Sequence, residues 1–255
     1  MGKLAFETVI FDMDGVITKT AITHAAAWKK MFDEFLQARA NRNNEKFNEF
    51  TQSDYLAYVD GKPRYKGVAS FLESRKISIP FGDPSDEAGK ETICGLGNRK
   101  NDAFNEVIAR DGVEVYESTA KLLKDLTAAG IKLGVASSSK NCAPVLEAVD
   151  LLSAFGARVD GVVSAELGLH GKPEPDIFTT ACEMLGSTPA KSIVVEDAVS
   201  GVQAGAKGKF GLTLGIAREN NEKELAENGA DFVVSDLEEI NGINGLNELF
   251  LKNQA

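Results

Sequence analysis

Apolar residues fall into two patterns along this chain. From about residue 105 onward, short unbroken runs (Lys132 to Ala136, Gly161 to Ser164, Ile193 to Val195, Leu212 to Ile216 and Phe232 to Val234) alternate with longer amphipathic segments. Thr8 to Phe11 is a run of the same kind near the start. Such runs predict strands covered on both faces, and their alternation with helices predicts a parallel, doubly wound sheet, an α/β Rossmann-like core. Between about residues 21 and 104 the β signal is weak. There His24, Ala27, Trp28, Met31, Phe32 and Phe35 recur three and four apart, as on an amphipathic helix, and another helix begins over Tyr65 to Leu72. Asn41 to Lys46 reads as a loop or helix end, and Ile79 to Pro84 as a turn-rich connection. The pattern predicts a core built from residues 1–20 and 105–255, with a helical cap domain of residues 21–104 inserted into it.

The chemistry sits where the apolar runs end. Thr8 to Phe11 leads into Asp12-Met13-Asp14-Gly15, so two carboxylates two residues apart lean to one side at the carboxyl edge of a sheet. Ligands of open α/β sheets bind at that edge. Two anions this close repel unless a cation lies between them, and oxygen donors at this spacing suit Mg²⁺. Taken alone, an Asp-x-Asp-Gly stretch is also an ordinary turn. Three further clusters follow other strands: Ser137-Ser138-Ser139-Lys140-Asn141, then Gly171-Lys172-Pro173 before a helix, then Glu196-Asp197. All four are expected at one rim.

Together these residues suit phosphoryl transfer, which needs positioning and charge neutralisation above all. Asp12 is the expected nucleophile, forming an aspartyl phosphate, and Asp14 the general acid and base. Glu196 and Asp197 are expected to complete the Mg²⁺ shell with Asp12 and Asp14, while Lys172 holds the phosphate and offsets carboxylate charge. Ser137 and Ser138 are candidate phosphate donors, although Ser138, Ser139 and Lys140 also suit the capping of a following helix.

Composition narrows the class. A chain of 255 residues, 43% hydrophobic and 26% charged, can bury a substantial core. Its net charge of −10 opposes nucleic acid and anionic membranes as partners, yet leaves local lysines for a small phosphorylated sugar. Cys94, Cys142 and Cys182 are odd in number and widely spaced, which suits free thiols in a reducing compartment. The acids at 12 and 14 interrupt the first apolar stretch before it can act as a signal or span. A cytoplasmic monomer is the expectation.

Phe11-Asp12-Met13-Asp14-Gly15-Val16, the serine after the second strand, Lys172 and Glu196-Asp197 resemble, in order, the four motifs of the haloacid dehalogenase superfamily. The resemblance spans nearly the whole chain. Asp14 implies its phosphoryl-transfer branch, since the dehalogenases lack the second aspartate. Two-component receiver domains also form an aspartyl phosphate, but they are much shorter and the motif order here excludes them.

A narrower set of matches resembles the superfamily's sugar phosphomutases, which interconvert β-glucose 1-phosphate and glucose 6-phosphate through the 1,6-bisphosphate. Gly15 to Thr18, His24 and Trp28-Lys29 are similar to their first loop and first cap helix. Asp60-Gly61-Lys62-Pro63-Arg64 is similar to the cap segment whose arginine holds the non-reacting phosphate, which implies that role for Arg64. Arg99 to Asp102 resembles the strip from which a lysine, here Lys100, reaches the substrate, and Ser137 to Asn141 the loop that binds sugar and phosphate, which implies substrate contacts for Ser139, Lys140 and Asn141 as well as for His24 and Trp28.

The departures concern the substrate more than the chemistry. Lys19 stands where relatives carry an acidic residue, residues 37–52 and 78–90 look longer than a minimal cap requires, and Lys207-Gly208-Lys209-Phe210 is an unusual entry to a strand. A mutase is the favoured reading, with a sugar-phosphate phosphatase as the alternative and a catalytically vestigial phosphate-binding protein as a third.

Overall fold

The structure, a computed structural model, describes residues 4–254. Among these, the strands β1 (Thr8–Phe11), β2 (Lys132–Ala136), β3 (Ala157–Val159), β4 (Ser192–Glu196), β5 (Leu212–Ile216) and β6 (Phe232–Val234) form one parallel sheet. Its order is β3-β2-β1-β4-β5-β6, so the chain winds one way from β1 and then the other, and the switch point lies between β1 and β4. Every residue of β1, β4 and β5 is buried, which is why these segments read as continuous apolar runs rather than alternating ones.

Helices α1 (Thr20–Asn43), α2 (Gln52–Tyr58), α3 (Arg64–Ser74) and α4 (Ile93–Asp111) make up a compact inserted unit, Thr20–Gly112. The rest of the chain, up to Lys19 and from Val113 onward, forms the other unit. It carries α5 (Glu117–Ala128), α6 (Cys142–Ala148), α7 (Gly161–Glu166), α8 (Asp176–Met184), α9 (Val199–Lys207), α10 (Glu222–Glu227) and α11 (Gly242–Asn253). The inserted unit runs past residue 104 because α4 continues unbroken to Asp111, where Gly112 at φ +77° ends it. Among the described residues, no helix is long and apolar enough to cross a membrane.

One predicted strand is a helix. Gly161 to Ser164 opens α7, and the strand at this edge of the sheet lies just upstream, at Ala157–Val159. The reason is Asp160, whose Oδ1 accepts from the Val162 and Val163 amides at 2.9 and 3.0 Å. That cap turns the chain into a helix despite two β-branched residues, which on composition favour a strand.

The inserted unit has its own core. Trp28, Met31, Phe32, Phe35 and Leu36 of α1 pack with Phe50, Tyr55, Val68, Phe71 and Leu96. Phe71 is completely buried, with its ring 4.2 Å from Phe32 and 4.8 Å from Phe50. The segments that lead into and out of this unit run side by side. Thr18 bridges Val115 in antiparallel fashion, Lys19 N–H donates to Glu114 O at 2.9 Å, and the two side chains form an exposed ion pair at 2.8 Å. Lys19 thus has an acidic partner on the returning segment.

Phe71→Ala removes a ring from the centre of this cluster, and is expected to cost about 3–5 kcal/mol. Urea unfolding of the whole chain checks it; an unchanged midpoint would show that the aromatic cluster contributes little to stability.

Candidate active site

The sheet register brings the polar clusters together. Phe11 is paired with Val135 on one side and Val195 on the other, so Asp12, Ala136 and Glu196 stand next to one another one step beyond. Asp12 N–H donates to Val195 O at 2.9 Å and extends this ladder to the edge. Asp14, Ser137 and Asp197 follow in sequence. The loop after Asp12 is tightly closed: Gly15 N–H donates to Thr18 O at 2.8 Å, and the Ile17 and Thr18 amides both donate to Met13 O at 2.9 Å.

Lys172 is buried between two carboxylates. Its Nζ donates to Asp12 Oδ1 and to Glu196 Oε1, and all three side chains are almost wholly out of solvent. Burial alone would lower the Lys172 pKa, but Asp12 and Glu196 prevail and raise it, so the ammonium stays charged. Burial pushes the Asp12 carboxyl above its usual range, Lys172 opposes that, and Glu196 and Asp14 push it further up. Negative charge is therefore in excess around Asp12, even with Lys172 in place.

Glu196 was expected in a metal shell, but its oxygens are engaged elsewhere: Oε1 accepts from Lys172 and Oε2 from the Ala198 amide at 2.7 Å. Its observed part is to anchor Lys172. Asp197 instead lies against the Asp14-Gly15 loop, so close that a Cβ on Gly15 would fall 1.8 Å from Asp197 Oδ2. Gly15 also has φ +83°, which favours glycine independently.

The donor set of Asp12, Asp14 and Asp197 fits a hard divalent cation. Among the described residues, no three acidic, histidine or cysteine side chains are gathered so as to hold a metal ion by themselves. Mg²⁺ does not require such a set, since it keeps several waters and is held through one or two carboxylates plus substrate phosphate.

Ser137 is buried, and its Oγ accepts from the Ser139 amide at 3.1 Å; Ser139 Oγ accepts from the Asn141 amide at 3.1 Å. These two hydroxyls fold the loop after β2. Asn141 precedes α6 without a side-chain cap, Ser138 is half-buried, and exposed Lys140 packs its stem near Gly161.

Within the inserted unit, His24, Trp28 and Lys100 come together. Lys100, 5% exposed, reaches His24 Nδ1 with its Nζ and lies 5.1 Å from the Trp28 ring. Arg64, at the start of α3, donates through Nη2 to Asn101 Oδ1 at 2.6 Å, and burial holds its pKa below the usual value.

Two residues with a part in these arrangements were not singled out from the sequence. Phe104, one turn beyond Lys100, stacks on His24 at 4.0 Å and also faces the Lys100 ammonium at 5.0 Å. Gly201 lies where a Cβ would come within 1.9 Å of the Glu196 carboxyl. A glycine inside a helix costs about 1 kcal/mol relative to alanine, and that cost was its signal in the sequence.

The comparison with known proteins agrees with the resemblance carried by the four motifs. Residues 6–209 match the model of the haloacid dehalogenase-like hydrolases, and the chain belongs to that family. It is 47% identical over 235 residues to the β-phosphoglucomutase of Mycobacterium tuberculosis (strain CDC 1551 / Oshkosh), covering 91% of this chain and 90% of that one. To the β-phosphoglucomutase of Bacillus subtilis (strain 168) it is 33% identical, over 82% of this chain and 83% of the other. The crystal structure of β-phosphoglucomutase from Clostridium difficile shares the fold, with a TM-score of 0.76 at 24% identity, over 97% and 98% of the two chains.

A raised pKa means that ionised Asp12 costs stability, a cost absent below its unfolded value of about 3.9 and growing as pH rises toward the folded value. Asp12→Asn removes that charge and leaves Lys172 paired with Glu196. In chelator-treated buffer the variant is expected to be about 0.5–2 kcal/mol more stable than wild type at neutral pH, with the advantage shrinking toward pH 4. Thermal melting across pH measures this; a variant less stable at neutral pH would contradict it.

Proposed function

We propose that the protein catalyses the β-phosphoglucomutase reaction, converting β-glucose 1-phosphate to glucose 6-phosphate through the 1,6-bisphosphate. For the chemistry, the supporting observation is a buried Asp12 held by Lys172 at the switch point, with Asp14 two residues on. For the substrate, support comes from the extensive identity to β-phosphoglucomutases.

Asp12 attacks phosphorus while the bond from phosphorus to the sugar oxygen breaks, and Asp14 gives that oxygen its proton. In the other half-reaction phospho-Asp12 passes its phosphoryl group to the 6-hydroxyl of β-glucose 1-phosphate, whose proton goes to Asp14, and the 1,6-bisphosphate so formed gives its 1-phosphate back to Asp12 to leave glucose 6-phosphate. Lys172 offsets charge on Asp12 and on the phosphoryl oxygens, and Ser137 with Ser138 donates to those oxygens. Mg²⁺, on which the family generally depends, would be held by Asp12, Asp14 and Asp197 and would neutralise charge between nucleophile and phosphate. His24, Trp28, Lys100, Ser139, Lys140 and Asn141 contact the sugar phosphate. Arg64 takes the non-reacting phosphate, for which a planar fork suits better than a lysine ammonium.

A substrate screen that scores isomerised sugar phosphate and free phosphate side by side tests the function. Isomerisation primed by glucose 1,6-bisphosphate is the expected result; release of phosphate without isomerisation would make the protein a sugar-phosphate phosphatase, and no turnover of any phosphomonoester a vestigial binder. Asp12→Asn should form no acyl phosphate, and Asp14→Asn should slow turnover at least about a hundredfold.

Arg64→Ala should depress isomerisation of β-glucose 1-phosphate far more than hydrolysis of acetyl phosphate, because acetyl phosphate has no second phosphate to hold. Rates that fall together in the variant would remove Arg64 from the distal-phosphate role.

A further inference from the structure

Arg218 lies two residues beyond the carboxyl end of β5, and none of the steps above uses it. Its backbone is fixed by the sheet edge: Ala217 N–H donates to Val234 O at 2.8 Å and Arg218 N–H to Ile216 O at 3.0 Å. From there the side chain, 13% exposed, reaches three separate segments of its own unit. Nε donates to the Gly15 carbonyl at 3.0 Å. Nη1 donates to Ser235 O at 3.1 Å and to Asp236 Oδ2 at 2.8 Å. The guanidinium carbon lies 3.7 Å from the centre of the Tyr116 ring. Nη2 is buried and has no hydrogen-bond acceptor among the described residues.

Gly15 directly follows Asp14, so its carbonyl is a point where the loop can be held without engaging either carboxylate. With φ +83° and no side chain, the Gly15–Val16 peptide is restrained by its hydrogen bonds rather than by sterics. Tyr116 is tied to the same loop, since its N–H donates to Ile17 O at 3.0 Å. Arg218 on Gly15, Arg218 on the Tyr116 ring and the Tyr116 backbone on Ile17 close one clamp around residues 15–17. A buried guanidinium with an unmatched N–H group is a poor device for stability alone, and such local losses are expected where function constrains the chain.

We propose that Arg218 is a positioning residue for Asp14. Holding the Gly15 carbonyl from a stack on Tyr116, it keeps the Asp14 carboxyl where it exchanges a proton with the sugar oxygen. The role calls for arginine, whose planar fork lies flat against an aromatic ring while its in-plane N–H groups donate to fixed acceptors; a lysine ammonium, a compact point charge, holds that geometry less well. The inference rests on the proposed roles of Asp12 and Asp14.

Phosphate donors with different proton demand test it. When Asp12 takes phosphate from acetyl phosphate the leaving group is acetate, a weak base that needs no proton, whereas glucose 1,6-bisphosphate releases a sugar oxygen that must receive one from Asp14. Wild type, Arg218→Ala, Arg218→Lys and Tyr116→Leu are each mixed with either donor and Mg²⁺ in a single turnover, and the acyl phosphate on Asp12 is followed, with melting temperature as a check on folding. Arg218→Ala is expected to slow transfer from the bisphosphate by about tenfold or more, and from acetyl phosphate by less than about threefold. Arg218→Lys should fall between Arg218→Ala and wild type. Tyr116→Leu, which keeps the arginine but removes its stacking surface, should show the same donor-dependent loss and carries the test if the Arg218 variants do not fold. Equal slowing with both donors, or no slowing with either, overturns the proposal. A wild type that takes no phosphate from the bisphosphate overturns the proposed function and this inference together.

Discussion

Lys172 sets a buried positive charge between two buried carboxylates, and the arrangement of the strand ends follows from it. Neither acid nor lysine could stay ionised there alone, because desolvating an isolated charge costs far more than folding can spare. The triad joins the ends of β1 and β4 to the loop before α8, three segments distant in sequence. Glu196 completes it by turning its second oxygen to the Ala198 amide, so Lys172 is held from one side and presented to Asp12 from the other. The triad still carries net negative charge, with Asp14 and Asp197 close by. That excess repels a bare phosphate anion, and a divalent cation accompanying the phosphate brings the missing positive charge.

Two glycines make this density of charge sterically possible. Gly15 leaves the volume that Asp197 occupies, and Gly201 leaves the volume that Glu196 occupies. Both lie beside acids rather than in open turns, so their lack of a side chain shapes the electrostatics as much as the backbone. The parallel register does the remaining alignment, since Phe11, Val135 and Val195 lie level with one another and deliver the residues that follow to one rim.

The inserted unit is stabilised by different physics. Its core is an aromatic and aliphatic cluster centred on Phe32, Phe50 and Phe71. Its polar groups are organised by π faces and amides: Lys100 lies among His24, Trp28 and Phe104, and Arg64 is steadied by Asn101. A lysine and an arginine steadied by rings and amides suit the phosphorylated sugar of the proposed reaction.

The buried strands, the helical insert and the order of the motifs were legible in the sequence, because continuous apolar runs and three-to-four spacing are local signals of burial. Asp12, Asp14, Lys172 and the pair Glu196-Asp197 stood out for the same reason: charged residues at the end of an apolar run are costly unless they have a use. Only tertiary structure separated that last pair, assigning Glu196 to Lys172 and Asp197 to the Asp14-Gly15 loop, because a carboxylate's partner depends on which oxygens other segments reach. It also moved the third strand ahead of Asp160, whose cap outweighs the strand preference of two valines. The parts of Gly201, Phe104 and Arg218 arise from contacts across segments far apart in the chain or from packing around a neighbouring side chain. The sequence by itself therefore determined which residues must be buried or charged and in what order they come; distances between strand ends, caps and stacked rings decided what each one does, since those depend on three-dimensional proximity that no local pattern encodes.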